Sequence, residues 1–207
     1  MLMESKINVT GLFPVCIFSN FIERKFSTIE KKVINNAYIK SIKNDTNYIS
    51  KEFNLLNSEP FKKINNFIVN NLKIYVKDIL KPKHAIELLI TESWLNFTKK
   101  GESHHIHSHH NSFISGVMYF DCIENDTIVF YKEEKDFFKI ETSEWNLFNS
   151  LSWNFPVQKG QLVLFPSNLK HSVNVNNQDK TRISLSFNTF PKGVVNNNTS
   201  IKLNLCN

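Results

Sequence analysis

Hydrophobic and polar positions change their rhythm near residue 83. Before it, apolar side chains recur at three-and-four spacing, the period of a helix with one buried face. Phe26, Ile29, Val33 and Ala37 form one such stripe and predict a helix from Phe21 to about Ile42. Ile64, Phe67, Ile68, Leu72, Tyr75, Val76 and Ile79 form a second. Ser58 suits its cap, Pro60 its first turn, and Lys81-Pro82-Lys83 its end. Residues 7–19 read as an extended lead-in, and Lys43 to Leu56, polar and turn-rich, as a loop.

After Lys83 the texture becomes that of strands. Ala85 to Lys100 alternates, which predicts a long strand with Ile86, Leu88, Ile90, Trp94 and Asn96 on one face. Further strands are expected at Phe113–Asp121, Asp126–Tyr131, Phe137–Glu141, Trp153–Val157, Gln161–Phe165, His171–Val175 and Arg182–Phe190, with a last one at Ile201–Leu205. Ser143 to Ser152 is an irregular insert carrying Trp145. Short strands at this density imply a sandwich or barrel. The expected fold is mainly β: a jelly-roll double sheet with two N-terminal helices packed outside one sheet. It divides into support (1–83), β core (84–190) and tail (191–207) of a single domain.

Composition narrows the picture. A chain of 207 residues with 41% hydrophobic side chains and 18 Phe can bury a sizeable core. Cys16, Cys122 and Cys206 are too far apart for a zinc pattern or a disulfide framework. No apolar run reaches a bilayer-spanning length, and the N-terminus lacks the layout of a signal peptide, so a cytoplasmic protein without a membrane partner is expected. The net charge of +6 is spread over scattered lysines, which reads as a solvated surface and gives no sign of nucleic acid. Abundant Asn, Lys and Ile point to an AT-rich bacterial or viral genome. Nothing in the composition bears on oligomeric state.

Candidate chemistry is concentrated in five histidines between residues 104 and 110. On a strand, residues i and i+2 share a face, so His107 and His109 can grip one ion together. His105 shares that face if the strand is regular, while His104 and His110 fall on the other. With His171 from a distant strand, a three-ligand site with open coordination positions results, of the kind oxygen-activating iron requires. Arg182, eleven residues on, can then anchor the far carboxylate of an organic diacid. Two blander readings compete: a solvent-exposed polar strand edge, and Glu102 or Asp121 supplying a carboxylate ligand in a shifted register. Trp94, Trp145 and Trp153 read as core.

These residues fall into a wider pattern. Trp94, Asn96, Gly101, His107, His109, Asn111, Ser112, Ser115, Gly116, Val117 and Tyr119 are followed by Gly160, Leu162, Phe165, Pro166, Ser167, Leu169, His171 and Val173. Arg182, Ser184, Phe187 and Asn188 complete it. In this the chain resembles the 2-oxoglutarate- and Fe(II)-dependent oxygenases, in particular a family common in marine bacteria and their phages. The resemblance implies a double-stranded β-helix, the cupin-like form of the jelly roll, with His107, His109 and His171 as iron ligands. It implies that Arg182 binds the C5 carboxylate of 2-oxoglutarate with help from Ser184, and that Asn96 and Tyr119 border the cosubstrate. The activity implied is oxidative decarboxylation of 2-oxoglutarate coupled to oxidation of a second substrate, whose identity the sequence leaves open. His109 stands where the wider superfamily has a carboxylate, and His110 where close relatives have proline. Two other functions fit the same residues: a cupin-like three-histidine dioxygenase without 2-oxoglutarate, and a non-catalytic jelly-roll binding module.

Overall fold

The computed structural model describes residues 8–133 and 140–195. The strand expected at Ile201–Leu205 lies outside that range, as does the larger part of the one expected at Phe137–Glu141. Two antiparallel sheets form the body. The larger is ordered β1 (Phe18–Phe21), β9 (Gln161–Pro166), β6 (Ile114–Asp121), β11 (Arg182–Gly193), β4 (Ile86–Thr98), β3 (Asn47–Ile49) and β2 (Ile42–Asn44). The smaller is ordered β5 (His104–His107), β10 (His171–Val173), β7 (Thr127–Tyr131) and β8 (Ser152–Pro156). No helix among the described residues is long and apolar enough to cross a membrane.

Two helices pack on the outer face of the large sheet, α1 (Thr28–Ile39) and α2 (Lys62–Ile74). Helix α1 starts later than its apolar stripe suggests. The Ser27 side chain accepts from the Glu30 backbone N–H at 3.2 Å, and the Glu30 carboxylate accepts from the Ser27 N–H at 2.6 Å. This capping box, with Glu30 buried against Arg24, sets the first turn, and Phe18–Phe21 is left free to join the sheet as an edge strand. Ile29 is consequently exposed, and Ile34 takes the buried position between Phe26 and Ala37. The segment expected as loop contains a short hairpin, β2–β3, whose strands are too brief to show alternation. Helix α2 follows the prediction more closely: Ile64, Ile68, Leu72 and Tyr75 are buried. Its last turn, Tyr75–Leu80, is wound wider, and Lys81 ends it in the left-handed conformation.

One residue alters the expected facing of β4. Against β11, Glu92 pairs with Asn188 and Ile90 with Thr189, so Thr91 is an extra residue on β4. Because side chains alternate with a period of two, such a bulge exchanges the faces on either side of it. Leu88 and Ile90 therefore pack with Leu95 and Phe97 under the helices, and Trp94 and Asn96 turn the other way. The strand's predicted common face is split at this point.

The large sheet buries both its faces. Leu95, Phe97, Met118, Phe120, Leu162, Leu164, Leu185 and Phe187 meet the helices. Val117, Tyr119, Val163 and Phe165 meet Ile128, Phe130 and Val157 of the small sheet. Gly116 belongs to the first layer for a steric reason. A Cβ there would lie 2.1 Å from Phe187 Cζ and 2.8 Å from Leu164 Cδ2, so the ring of Phe187 occupies the space a side chain would need.

Candidate metal centre

Strands β5 and β10 carry the first two imidazoles. His107 pairs directly with His171, and His104 with Val173. Between those pairs β10 has one residue, Ser172, and β5 has two, His105 and Ile106. This second bulge turns both His104 and His107 into the space between the sheets, where they line one pocket. His105 points outward, and its Nδ1 lies 3.3 Å from the exposed Asp45 carboxylate. The regular register, with His105 inward and His104 outward, is thus reversed. His109 lies beyond the end of β5, where its backbone N–H donates to the Ser167 carbonyl at 2.9 Å. A loop tied to the β9–β10 connection, rather than a continuous strand, brings it round.

His107, His109 and His171 meet. Their ring centroids are 4.3 to 5.2 Å apart, and one nitrogen from each lies within 4.8 Å of the others. The Nδ1 of His107 is 2.9 Å from the His105 carbonyl, and the Nδ1 of His171 is 2.9 Å from the Leu169 carbonyl. A carbonyl only accepts, so both Nδ1 atoms carry the proton and both Nε2 lone pairs are free for a metal. Burial first, and then the neighbouring imidazoles, lower the pKa of His171 to about 3 and that of His109 to about 4. His107 is lowered by burial as well. All three are neutral near pH 7, the protonation state a metal needs. His104, stacked on His107 with centroids 4.4 Å apart, is lowered by the same causes to about 3.

Behind His109 lies a hydrogen-bonded chain. Asn188 donates to Glu92 at 2.6 Å and accepts from Ser115 at 2.7 Å, and its amide nitrogen is 3.4 Å from His109 Nδ1. Ser115 and Ser112 both bond to Ser167 at 2.8 Å. Ser112, Ser115, Ser167 and Asn188 thus form one connected network beside the third imidazole. Trp94 closes the other side with its ring edge-on to His109 at 6.0 Å.

The same pocket contains Asn96, Tyr119, Arg182 and Ser184, so every residue singled out for the cosubstrate is gathered here. Arg182 is 3% exposed, and its Nη1 donates to the Thr127 carbonyl at 3.3 Å. Its Nη2 donates to the Tyr119 hydroxyl at 3.4 Å, and its guanidinium carbon lies 5.2 Å from the centre of that ring. Complete burial raises the Tyr119 pKa and keeps the phenol protonated. Asn96 donates to the Ser186 hydroxyl at 2.9 Å. Asp126, which no motif marked, has its carboxylate 3.3 Å from Arg182 Nε.

Other expectations are corrected. Glu102 accepts from the Lys99 backbone N–H at 2.9 Å and pairs with Lys43, while Asp121 pairs with Lys180 at 2.8 Å. Neither carboxylate reaches the histidines, and among the described residues every group able to hold a metal is made of histidine alone. Trp145 is 67% and Trp153 48% exposed, so neither is core.

A family model described as "Putative 2OG-Fe(II) oxygenase" matches residues 92–188, from the Glu92 behind His109 to the Asn188 that joins them. The match covers a little under half of the chain and takes in all three histidines and Arg182. Solved structures agree on the fold. An oxidoreductase of the 2OG-Fe(II) oxygenase family from Burkholderia pseudomallei is similar at 12% identity and a TM-score of 0.55, over 83% of each chain. HygX from Streptomyces hygroscopicus, solved with nickel and 2-oxoglutarate, is similar at 12% identity and a TM-score of 0.57, over 84% of this chain and 82% of that one. A prolyl-4-hydroxylase from Pseudomonas putida gives 12% identity and a TM-score of 0.55, over 84% and 92%. No curated protein matches the chain.

Proposed function

We propose that His107, His109 and His171 hold iron(II) and that Arg182 receives the far carboxylate of 2-oxoglutarate, with Ser184, Asn96 and Tyr119 shaping the space between. The protein is then an oxygenase that couples decarboxylation of 2-oxoglutarate to oxidation of a second small molecule or side chain. One observation carries the reading. Three neutral imidazoles converge at one part of a pocket whose other part holds a buried guanidinium. Lone-pair donors and a fixed cation within one enclosed space match a diacid that chelates a metal by one end. Bound there, the iron and its cosubstrate supply the oxygen-activating chemistry.

The chain's own residues do the rest. The His105 and Leu169 carbonyls fix the tautomer and ring direction of two ligands. Asn188, held between Glu92 and Ser115, packs beside the third. With three neutral ligands the centre keeps one more positive charge than it would with a carboxylate, and the Glu92 carboxylate, beyond Asn188 from His109, offsets part of it. Tyr119 and Thr127 aim the guanidinium, so cosubstrate meets a donor that needs no reorganisation. Trp94 and His109 border the side from which the second substrate approaches, and the insert carrying Trp145 is the segment we assign to its selection.

Succinate formation from 2-oxoglutarate tests this. Wild-type protein with iron(II) should form succinate, and Arg182→Ala should raise the 2-oxoglutarate concentration needed by about 100-fold or more, since a buried charged partner is lost. Iron-dependent oxidation that survives Arg182→Ala unchanged would point instead to a three-histidine dioxygenase that needs no diacid.

A further inference from the structure

The guanidinium deep in the pocket already has a counter-ion. Asp126, the residue before β7, places Oδ2 3.3 Å from Arg182 Nε, and each side chain is 3% exposed. The two atoms attract as charges without hydrogen-bond alignment, and neither has another hydrogen-bond partner. Of the five N–H groups of a guanidinium, one on Nη1 goes to the Thr127 carbonyl and one on Nη2 to the Tyr119 hydroxyl. One N–H on each terminal nitrogen remains for a ligand. Burial raises the Asp126 pKa, opposed first by Arg182 and then by the backbone amides of Ile123 and Thr127.

We infer that Asp126 tunes cosubstrate affinity: it neutralises Arg182 in the empty pocket and so holds down the binding of the distal carboxylate of 2-oxoglutarate and of succinate. The inference rests on the proposed role of Arg182 above. Before cosubstrate enters, the buried pair is neutral. Afterwards one guanidinium serves two carboxylates, and the pocket floor carries a net negative charge where dielectric screening is weak. A lone buried arginine would gain far more from the same ligand, because the ligand would then supply its missing partner. The consequence is a diacid held tightly enough to bind and loosely enough for succinate to leave. Asp126 and Thr127 are consecutive, so one turn of chain both neutralises the guanidinium and aims it.

The test is titration of the manganese(II)-loaded protein, without turnover, by 2-oxoglutarate, succinate and 2-oxopentanoate, which lacks the distal carboxylate. Asp126→Asn keeps the volume and removes the charge. It should bind 2-oxoglutarate and succinate about tenfold more tightly and 2-oxopentanoate unchanged. Wild-type protein gives a second measurement that needs no variant: it should prefer 2-oxoglutarate over 2-oxopentanoate by less than about tenfold, because loss of the ligand's carboxylate leaves Arg182 still paired. Equal or weaker diacid binding by Asp126→Asn overturns the inference. So does a wild-type preference of roughly 100-fold or more, which also decides the matter if the variant does not fold. Failure of the wild-type protein to bind 2-oxoglutarate at all would overturn the proposed function instead.

Discussion

The two faces of the large sheet are made from alternate residues of the same strands, yet they do different work. On β11, Leu185 and Phe187 point to the helices and are fully buried, while Arg182, Ser184 and Ser186 point to the pocket. On β4, Leu95 and Phe97 take the first side, and Trp94, Asn96 and Thr98 the second. Alternation of this kind ordinarily marks a sheet with one wet face. Here the polar face is roofed by the small sheet, so Arg182, Ser184, Asn96 and Asn188 are buried along with the apolar side chains between them. A buried polar face must find partners within the protein or in a ligand. Stability and chemistry are thereby assigned to opposite sides of one backbone.

Substitutions on each side should separate the two roles. The largest effect is expected at the metal. His171→Ala should abolish iron binding in a metal titration, and succinate formation with it, while the circular dichroism of the fold is retained. On the helix side, Phe187→Ala should cost about 3–5 kcal/mol in denaturant unfolding. The protein that remains folded should bind iron as wild type does; a loss of affinity per folded molecule would mean that the faces are not independent. Gly116→Ala forces a Cβ into the Phe187 ring and should cost about 1–3 kcal/mol by the same measurement.

The smallest effect depends on pH. The folded-state pKa values of His104, His109 and His171, about 3, 4 and 3, lie below the ordinary value near 6.5. Between those limits the unfolded chain binds more protons than the folded one. Stability from these neutral imidazoles is therefore full above about pH 6.5 and declines as the pH falls toward 4 and 3. Thermal melts of the metal-free protein at pH 7, 6 and 5 should show a falling Tm, and His171→Ala should flatten the slope.

The sequence exposed some of this and concealed the rest for identifiable reasons. Strands β6, β7 and β9 and the start of β11 could be read as short apolar runs between turns, and α2 from its stripe and its Pro60 turn. Edge strand β1 and the β2–β3 hairpin could not, since three- or four-residue strands carry too little pattern and owe their place to the neighbours they pair with. His107, His109, His171 and Arg182 stood out through a pattern of spacings, and the structure draws them into one pocket. Asp126 gave no signal because Arg182 lies 56 residues away in the sequence; only the approach of β7 to β11 makes the pair.

By itself, then, the sequence determined the longer helices and strands and which side chains could ligate a metal, because periodicity and donor chemistry are local properties. Which way those side chains face was settled by tertiary structure. A single extra residue at Thr91 reverses one strand, and an extra one in the His105–Ile106 pair reverses another, bringing His104 inward in place of His105. Bulges of this kind depend on the register that two strands adopt against each other, and no one strand contains that information.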